Sequence, residues 1–262
     1  MKKVVVITGA ARGIGRATAV AFAKQGAHIV GIDACTKVCS NCKVEPATKE
    51  DLKETGRLVK QSSKWVGYIA DQRDLASLKW ISAEIVKTLG GMDVLFANAG
   101  IQGFTPLLEM ADEDWHEQID VNLTGTANAI RAFAPLLVQR GGGRIIITSS
   151  TQGKHGTLHG SAYSASKWGL LGLMKSACLE FAPHKITVNA VIPGLVNTPL
   201  TRHESRYAQI IEEAGAVPTG NIHQDEITAR QLQQKKNPLQ VRGSNRRKWP
   251  MSSCFWPRMR RT

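Results

Sequence analysis

The sequence predicts a single α/β domain in three layers, with a doubly wound parallel sheet between helices on both of its faces. Short runs rich in β-branched residues alternate with segments whose apolar residues recur three and four positions apart. The runs are almost continuously apolar, which is typical of strands buried on both faces. The chain has 262 residues, 42% of them hydrophobic, and this length suits one large core.

Five runs are predicted strands, and in chain order they are residues 4–8, 28–33, 93–100, 143–150 and 186–194. Helical segments separate them, among them RATAVAFAKQ, LASLKWISAEIVKTL and TANAIRAFAPLLVQ. Residues 34–59 form an insertion longer than the usual connection, in which ATKEDLKETGRLV is typical of a capped helix. In a sheet of this kind, ligands bind beyond the carboxyl ends of the strands.

A glycine-rich turn joins the first predicted strand to the first helix. It contains Gly9, Arg12, Gly13, Ile14 and Gly15. Glycines there let the backbone approach a pyrophosphate closely, and the helix N-terminus supplies free N–H groups. The turn therefore indicates a dinucleotide site, although a bare strand-to-helix turn is the alternative.

An acidic residue ends the second predicted strand. Asp33 lies 18 residues beyond Gly15, where a carboxylate can accept hydrogen bonds from a ribose 2′-hydroxyl. The same carboxylate would repel a 2′-phosphate, so Asp33 favours NAD over NADP, a preference that Arg12 can soften. The alternative for Asp33 is a solvated loop acid.

Three motifs in this order resemble the short-chain dehydrogenase/reductase family: TGAARGIG at residues 8–15, NAG at 98–100 and YSASK at 163–167. The resemblance covers residues 2–239, and the wording of the insertion is similar to the carveol-dehydrogenase-like branch. It implies a Rossmann domain over residues 1–240 and an NAD-dependent oxidoreductase that interconverts a secondary alcohol and a ketone. Two alternatives stay open: an NADP-dependent role like that of 3-oxoacyl-carrier-protein reductases, and a non-catalytic nucleotide-binding product.

Four residues match the catalytic positions of that family: Asn122, Ser150, Tyr163 and Lys167. Tyr163 and Lys167 share one face of a helix. A nearby ammonium and a positively charged nicotinamide are expected to lower the phenol pKa from about 10, so that Tyr163 acts as acid and base. The family implies that Ser150, rather than Ser149, hydrogen-bonds the substrate oxygen. It also implies that Asn122 holds a water linking Lys167 to solvent. By itself a Tyr-xxx-Lys pair indicates only a solvated helix face.

The resemblance implies further contacts with NAD, to which Tyr163 and Lys167 also contribute. The positions are Asp71 and Gln72 near the adenine, Asn98, Ala99 and Gly100 after the predicted strand 93–100, and Pro193, Gly194, Val196 and Thr198 around the nicotinamide. Residues 198–220 are expected to form a substrate loop, and Phe104, Leu158 and Trp168 are candidates for the wall of a mostly apolar pocket. The alternative for Trp168 is a subunit interface.

Three cysteines of the insertion, Cys35, Cys39 and Cys42, have the C-x3-C-x2-C spacing of radical enzymes that hold an iron–sulfur cluster. Their place beside the adenosine end of a dinucleotide fold argues against a cluster, and zinc is a second alternative. No apolar stretch approaches the roughly 20 residues of a membrane helix, and the N-terminal apolar run is too short for a signal peptide. We therefore expect a cytoplasmic protein with reduced cysteines, no metal site and no membrane partner.

Residues 241–262 hold seven Lys and Arg and no acid. Without these seven, 27 basic residues face 21 acidic ones, a mild and scattered excess. The segment from Arg242 can be translated back into codons and read two bases further on. Permitted codon choices then give PWIEPEEVADVVVFLASD, which resembles the C-terminal segment of proteins of this family. We interpret the segment as a frameshifted, disordered basic tail that replaces the last strand and helix. An arm for nucleic acid or a membrane surface is the alternative, and neither partner is expected.

Restoring the frame should raise solubility, melting temperature and activity, because the final strand and helix would cover an inner strand and part of the core. The resemblance implies that the restored chain forms a homotetramer or homodimer through helices around residues 115–139 and 161–181. Thermal melts, turnover assays and size-exclusion chromatography of both versions check this. Equal melting temperatures and equal activities would contradict the interpretation.

Overall fold

A computed structural model describes residues 2–40 and 42–236, and within them the sheet has six strands. All neighbouring strands are parallel, in the order β3-β2-β1-β4-β5-β6. The strands are β1 (Val4–Thr8), β2 (His28–Asp33), β3 (Trp65–Ile69), β4 (Val94–Ala97), β5 (Gly143–Thr148) and β6 (Ile186–Val191). The predicted fold class, a doubly wound Rossmann-type sheet, is confirmed.

Eight α-helices of the described part connect and follow these strands. They are α1 (Gly13–Lys24), α2 (Lys49–Lys60), α3 (Leu75–Leu89), α4 (Asp112–Ile119), α5 (Gly125–Arg140), α6 (Ser161–Phe181), α7 (Glu204–Glu213) and α8 (Ile222–Lys236). None of the helices among these residues is both long and apolar enough to cross a membrane. The predicted basic tail, residues 241–262, lies outside the described residues. The inferred loss of the last strand and helix concerns the same segment and stays a prediction.

Two hydrophobic cores cover the two faces of the sheet. Alternate residues of β1 point to opposite faces, as the two-residue period of a strand requires. Val6 belongs to the core shared with α3, α5 and α6, in which Phe133 is fully buried. Ile7 belongs to the core under α1 and α2, together with Phe22. Because the strands are parallel, their carboxyl ends lie along one edge of the sheet, and the loops that follow them meet there.

The edge strand β3 was not predicted from the sequence. Its burial is only partial and it contains Gly67, so it lacks the continuous apolar run of the inner strands. The indole of Trp65 fills a slot above two other glycines. A Cβ on Gly31 of β2 would lie 2.0 Å from this ring, and one on Gly56 of α2 would lie 2.5 Å from it. These glycines let the insertion helix pack closely on the sheet.

The insertion contains the predicted capped helix, α2. The Thr48 hydroxyl accepts a hydrogen bond from the Asp51 backbone N–H at 3.1 Å, and the Asp51 carboxylate accepts one from the Thr48 N–H. This reciprocal pair is a capping box. Arg16 of α1 bonds to the same Asp51 at 3.0 Å and to Thr55 at 2.9 Å. The insertion is therefore fastened to the helix that follows the glycine turn.

The expectation of fully reduced cysteines is wrong for two of them, because Cys39 and Cys42 form a disulfide. The loop between them brings their Cα atoms to 5.4 Å, within the range that a disulfide spans. Cys35 and Cys178 are free thiols, and burial raises the pKa of the Cys35 thiol to about 11. In the described part of the chain, no three His, Cys, Asp or Glu residues are grouped to hold a metal ion.

Candidate active site

A groove crosses the carboxyl ends of β1, β2, β4 and β5, and most of the predicted site residues line it. Those that do are Gly9, Arg12, Gly13, Ile14, Asp33, Asp71, Gln72, Asn98, Ala99, Gly100, Ser150, Tyr163, Lys167, Pro193, Gly194, Val196 and Thr198. Gly15 and Asn122 are not part of the lining. Each contacts residues of the lining, Gly15 the carbonyl of Gly9 and Asn122 the backbone of Ile101.

The glycines of the first turn permit close backbone contacts. Gly9 has a φ of +68°, and a Cβ there would lie 2.8 Å from the Cα of Ala99. A Cβ on Gly15 would lie 2.0 Å from the carbonyl oxygen of Gly9, so this glycine serves the packing of α1 on the turn. Arg12 stands at the N-cap and its side chain makes no cap hydrogen bond. The first turn of α1 therefore keeps the features of an anion-binding helix terminus.

The Asp33 carboxylate is oriented by two backbone N–H groups. One oxygen accepts from Ala11 at 2.9 Å and the other from Cys35 at 3.2 Å. Arg12 does not pair with Asp33, because its guanidinium donates to the carbonyl of Glu45 in the insertion. The acid thus faces the groove at the end of β2, where the sequence predicted it.

Asn98 fastens three strands together. Its side-chain amide donates to the carbonyl of Thr8 at 3.1 Å and that of Gly9 at 3.3 Å, and its side-chain oxygen accepts from the Thr148 hydroxyl at 3.2 Å. These bonds connect the ends of β1, β4 and β5. Asn98, which the resemblance placed among the contacts with NAD, therefore braces the central sheet.

The segment around Thr198 closes over the nucleotide end of the groove. The side chain of Thr198 would lie 3.5 Å from a Cβ on Gly13. Thr201 donates its hydroxyl to the carbonyl of Val196 at 2.6 Å, and the carbonyl of Pro193 accepts from the N–H of Thr151 at 3.0 Å. The loop is therefore tied to itself and to the end of β5.

Asn122 lies in a π-helical turn, Asp120–Thr124, that joins α4 to α5. Its side chain is fully buried and exchanges hydrogen bonds with the backbone of Ile101, at 2.8 Å and 3.1 Å. It also donates to the Ser166 hydroxyl at 3.0 Å. Gln72 supports the same turn by donating to the carbonyl of Val121 at 2.6 Å. Such π-turns are frequent at functional sites, and here the turn holds Asn122 behind the groove.

Tyr163 and Lys167 lie one turn apart on α6 and are almost completely buried, with exposures of 6% and 3%. The Lys167 ammonium nitrogen lies 5.4 Å from the centre of the Tyr163 ring and donates to the carbonyl of Thr148 at 3.0 Å. Burial lowers the pKa of Lys167 to about 8. The sequence therefore predicted the pairing of these two side chains correctly.

In the protein alone the pKa of Tyr163 is raised, so the neighbouring ammonium does not by itself produce the expected lowering. Burial raises the pKa of the phenol, since a phenolate loses its hydration inside the protein. A hydrogen bond with Ser150 and the positive charge of Arg206 act in the opposite direction but do not outweigh burial. The spacing to Lys167 indicated a neighbouring charge, but it contained no information about desolvation.

The structure separates the two serines that end the β5 segment. The Ser150 hydroxyl acts on the Tyr163 phenol and favours a lower pKa for it, and it accepts from the N–H of Gln152 at 3.2 Å. Ser149 donates its hydroxyl to the carbonyl of Lys167 at 2.9 Å and is 2% exposed. Ser150 is therefore the serine that can reach a substrate oxygen beside the phenol.

Comparison with known proteins agrees with this arrangement. The family model described as short chain dehydrogenase matches residues 3–209. The chain belongs to the short-chain dehydrogenase family. It is 37% identical over 237 residues to an uncharacterized NAD-dependent oxidoreductase of Mycobacterium tuberculosis, with 86% of each chain covered.

The predicted likeness of this short-chain dehydrogenase to the carveol-dehydrogenase branch is also confirmed. It is 39% identical over 209 residues to a (-)-trans-carveol dehydrogenase of Rhodococcus erythropolis, covering 78% of this chain and 75% of that one. The crystal structure of carveol dehydrogenase from Mycobacterium avium in complex with NAD is similar, with a TM-score of 0.84 and 33% identity. That match covers 93% of this chain and 86% of the other.

The sequence did not indicate Arg206, a charged residue that lines the short-chain dehydrogenase groove. It lies on α7 inside the predicted substrate loop and is 9% exposed, with its guanidinium 5.0 Å from the centre of the Phe104 ring. The missed signal was periodicity, because Arg206 lies four residues before the buried Ile210 on the apolar face of α7. Of the predicted wall residues, Phe104, Leu158 and Trp168 do not line the groove, and Leu158 and Trp168 are 42% and 53% exposed.

The lowered pKa of Lys167 should make the stability of this short-chain dehydrogenase depend on pH. Between about 8, the folded value, and 10.5, the ordinary value, the unfolded chain holds a proton on Lys167 that the folded chain has released. The free energy of unfolding of the wild type, relative to Lys167→Met, should therefore rise by roughly 3 kcal/mol across this window.

Urea unfolding at several pH values measures this difference, since the titration of all other groups cancels in it. The matched control is Lys175→Met, an exposed position on the same helix. Its difference from the wild type should not vary with pH. A pH-independent difference for Lys167→Met as well would show that burial does not act on this ammonium.

Proposed function

We propose that this short-chain dehydrogenase interconverts a secondary alcohol and a ketone by hydride transfer to and from NAD. The observation that carries the proposal is the grouping of Ser150, Tyr163 and Lys167 in the lining of one groove, where Ser150 acts on the phenol and Lys167 lies one helical turn away. A hydroxyl pair next to a buried cation can bind a carbonyl oxygen and exchange a proton with it.

The residues around the glycine turn fit an NAD molecule. The uncapped N-terminus of α1 and the close approach at Gly9 suit a pyrophosphate, and the oriented carboxylate of Asp33 suits a ribose diol. The same carboxylate would repel the 2′-phosphate of NADP, which disfavours the role of an NADP-dependent 3-oxoacyl reductase. Two relatives, an NAD-dependent oxidoreductase and a carveol dehydrogenase whose crystal structure contains NAD, also support NAD.

In the proposed mechanism each polar side chain has a separate task. The Ser150 hydroxyl hydrogen-bonds the substrate oxygen and holds it beside the phenol. Tyr163 accepts the alcohol proton during oxidation and returns it to the oxygen during reduction. Lys167 and Arg206 favour the phenolate by their positive charges. When bound, NAD supplies the hydride acceptor and a further positive charge next to the phenol.

The buried residues behind the groove keep the catalytic side chains in place. A Cβ on Gly100 would lie 2.9 Å from the side-chain oxygen of Asn122 and 3.4 Å from the Lys167 ammonium. Because Gly100 has no side chain, space remains between Asn122 and Lys167. We propose that Asn122 orders a water in this space, so that Lys167 can pass a proton to solvent.

Replacing Tyr163 by Phe should abolish turnover while NADH still binds, because only the proton donor and acceptor is removed. General acid–base catalysis contributes about 100- to 10,000-fold, and a loss of this size in kcat is expected. Steady-state assays with secondary alcohols and ketones, and fluorescence titration with NADH, measure the two effects.

The matched control is Tyr68→Phe, a tyrosine of β3 that lies outside the groove. It should leave kcat within about twofold, since only an ordinary hydroxyl group is lost there. Full turnover of Tyr163→Phe, or loss of NADH binding along with turnover, would refute the assignment.

A further inference from the structure

Arg206 is a buried cation at the groove with unused hydrogen-bonding capacity. One terminal nitrogen of its guanidinium donates to the side-chain oxygen of Gln209 at 2.9 Å. The Nε atom is buried and has no hydrogen-bond partner. The planar group lies over Phe104, which fixes its orientation through a cation–π contact.

The charge of Arg206 has no direct acidic partner. Among residues 2–40 and 42–236, no carboxylate oxygen lies within the 4 Å of an ion pair with its guanidinium. The carboxylate of Glu213 acts on it from farther away and is hydrogen-bonded to Gln209 at 3.2 Å. Buried charges are normally paired, because an unpaired one loses its hydration without compensation. An anion bound at Arg206 would compensate for this lost hydration.

Neighbouring polar groups do not compete with Arg206 for an anion. His203 is stacked with Phe104, with ring centres 6.2 Å apart, and burial lowers its pKa to about 4. It is therefore neutral at ordinary pH. The side-chain oxygens of Gln102 and Gln152, which also line the groove, are buried and without hydrogen-bond partners. These amides can turn an N–H group towards an oxygen-rich ligand.

The contacts of Arg206 place it at the substrate end of the groove. Its partner Gln209 donates to the Thr157 hydroxyl at 3.4 Å, and Thr157 belongs to the loop between Ser150 and Tyr163. Phe104 borders the same loop, since a Cβ on Gly160 would lie 3.3 Å from its ring. Thr198, in contrast, lies next to Gly13 of the glycine turn, at the nucleotide end of the groove.

We propose that Arg206 binds a carboxylate of the substrate, so that the preferred substrates are oxo acids and their hydroxy acids. The inference rests on the proposed function, because the carbonyl must lie at Ser150 and Tyr163 while the carboxylate reaches α7. A guanidinium offers a carboxylate two parallel N–H donors, which gives both affinity and orientation. The side chain thereby determines specificity, in addition to favouring the phenolate by its charge.

Matched pairs of ketones that differ only in charge test the proposal. The pairs are pyruvate, acetoacetate and levulinate with their methyl esters, which place the carboxylate at increasing distances from the carbonyl. The full-length protein should show a higher kcat/KM for the acid than for the ester in at least one pair. In Arg206→Met the value for that acid should fall roughly 10- to 100-fold, as for a lost hydrogen bond to a charged group.

Two further variants complete the test. Arg206→Lys keeps the charge and should retain part of the preference for the acid. Arg202→Met removes an exposed arginine of the same segment and should change kcat/KM for neither the acid nor the ester. If Arg206→Met does not fold, the acid-to-ester ratio of the wild type and of Arg206→Lys decides the question.

Equal losses on acid and ester in Arg206→Met, with a shifted pH profile, would mean that Arg206 acts only on Tyr163 and would overturn the proposal. Calorimetric titration of levulinate into the NADH complex separates this inference from the proposed function. Carboxylate binding that depends on Arg206 would support the inference even if no ketone were reduced. Ketone reduction without preference for acids, and without carboxylate binding, would overturn the inference and leave the oxidoreductase assignment intact.

Discussion

Exclusion of water from Tyr163 and Lys167 is the physical constraint on which the rest of the site depends. Burial disfavours the charged forms of both side chains, which raises the pKa of the phenol and lowers that of the ammonium to about 8. Each positive charge added to the groove then has a large effect, because little solvent screens it. Arg206 supplies one such charge, and the hydrogen bond from Ser150 adds to it.

Hydrogen bonds between the strand ends determine the shape of the groove around these two side chains. Asn98 connects the ends of β1, β4 and β5, and the π-turn fixes Asn122 against the loop after β4. Gly9 and Gly100 keep the backbone close to these groups, since a side chain at either position would meet them within 3 Å. The nucleotide end and the catalytic end are thus parts of one rigid edge of the sheet.

Features governed by local backbone geometry could be predicted from the sequence. The glycine turn, Asp33 and the pair of Tyr163 and Lys167 follow from spacing along a strand or helix, and the structure brings these residues to one groove. The edge strand β3 could not be found in this way, because its burial depends on Trp65 covering glycines of other elements. Its short run therefore lacks the apolar pattern of an inner strand.

The remaining differences have tertiary causes. The position of Arg206 depends on Phe104 and on the loop before Tyr163, which are distant in sequence. The direction of the Tyr163 pKa depends on how completely α6 is buried, and a four-residue spacing does not report that. The disulfide between Cys39 and Cys42 follows from the shape of a loop, whereas the sequence argument relied on the expected compartment.

The most direct test of the account is a spectroscopic titration of the Tyr163 phenol with and without saturating NAD, corrected by the same titration of Tyr163→Phe. The account predicts a phenol pKa above its ordinary value in the protein alone, where burial dominates, and a lower pKa in the NAD complex, where the cofactor would bring a positive charge to the groove. The same pKa in both states would contradict it, because the groove would then not bring the cofactor's charge to the group that exchanges the proton.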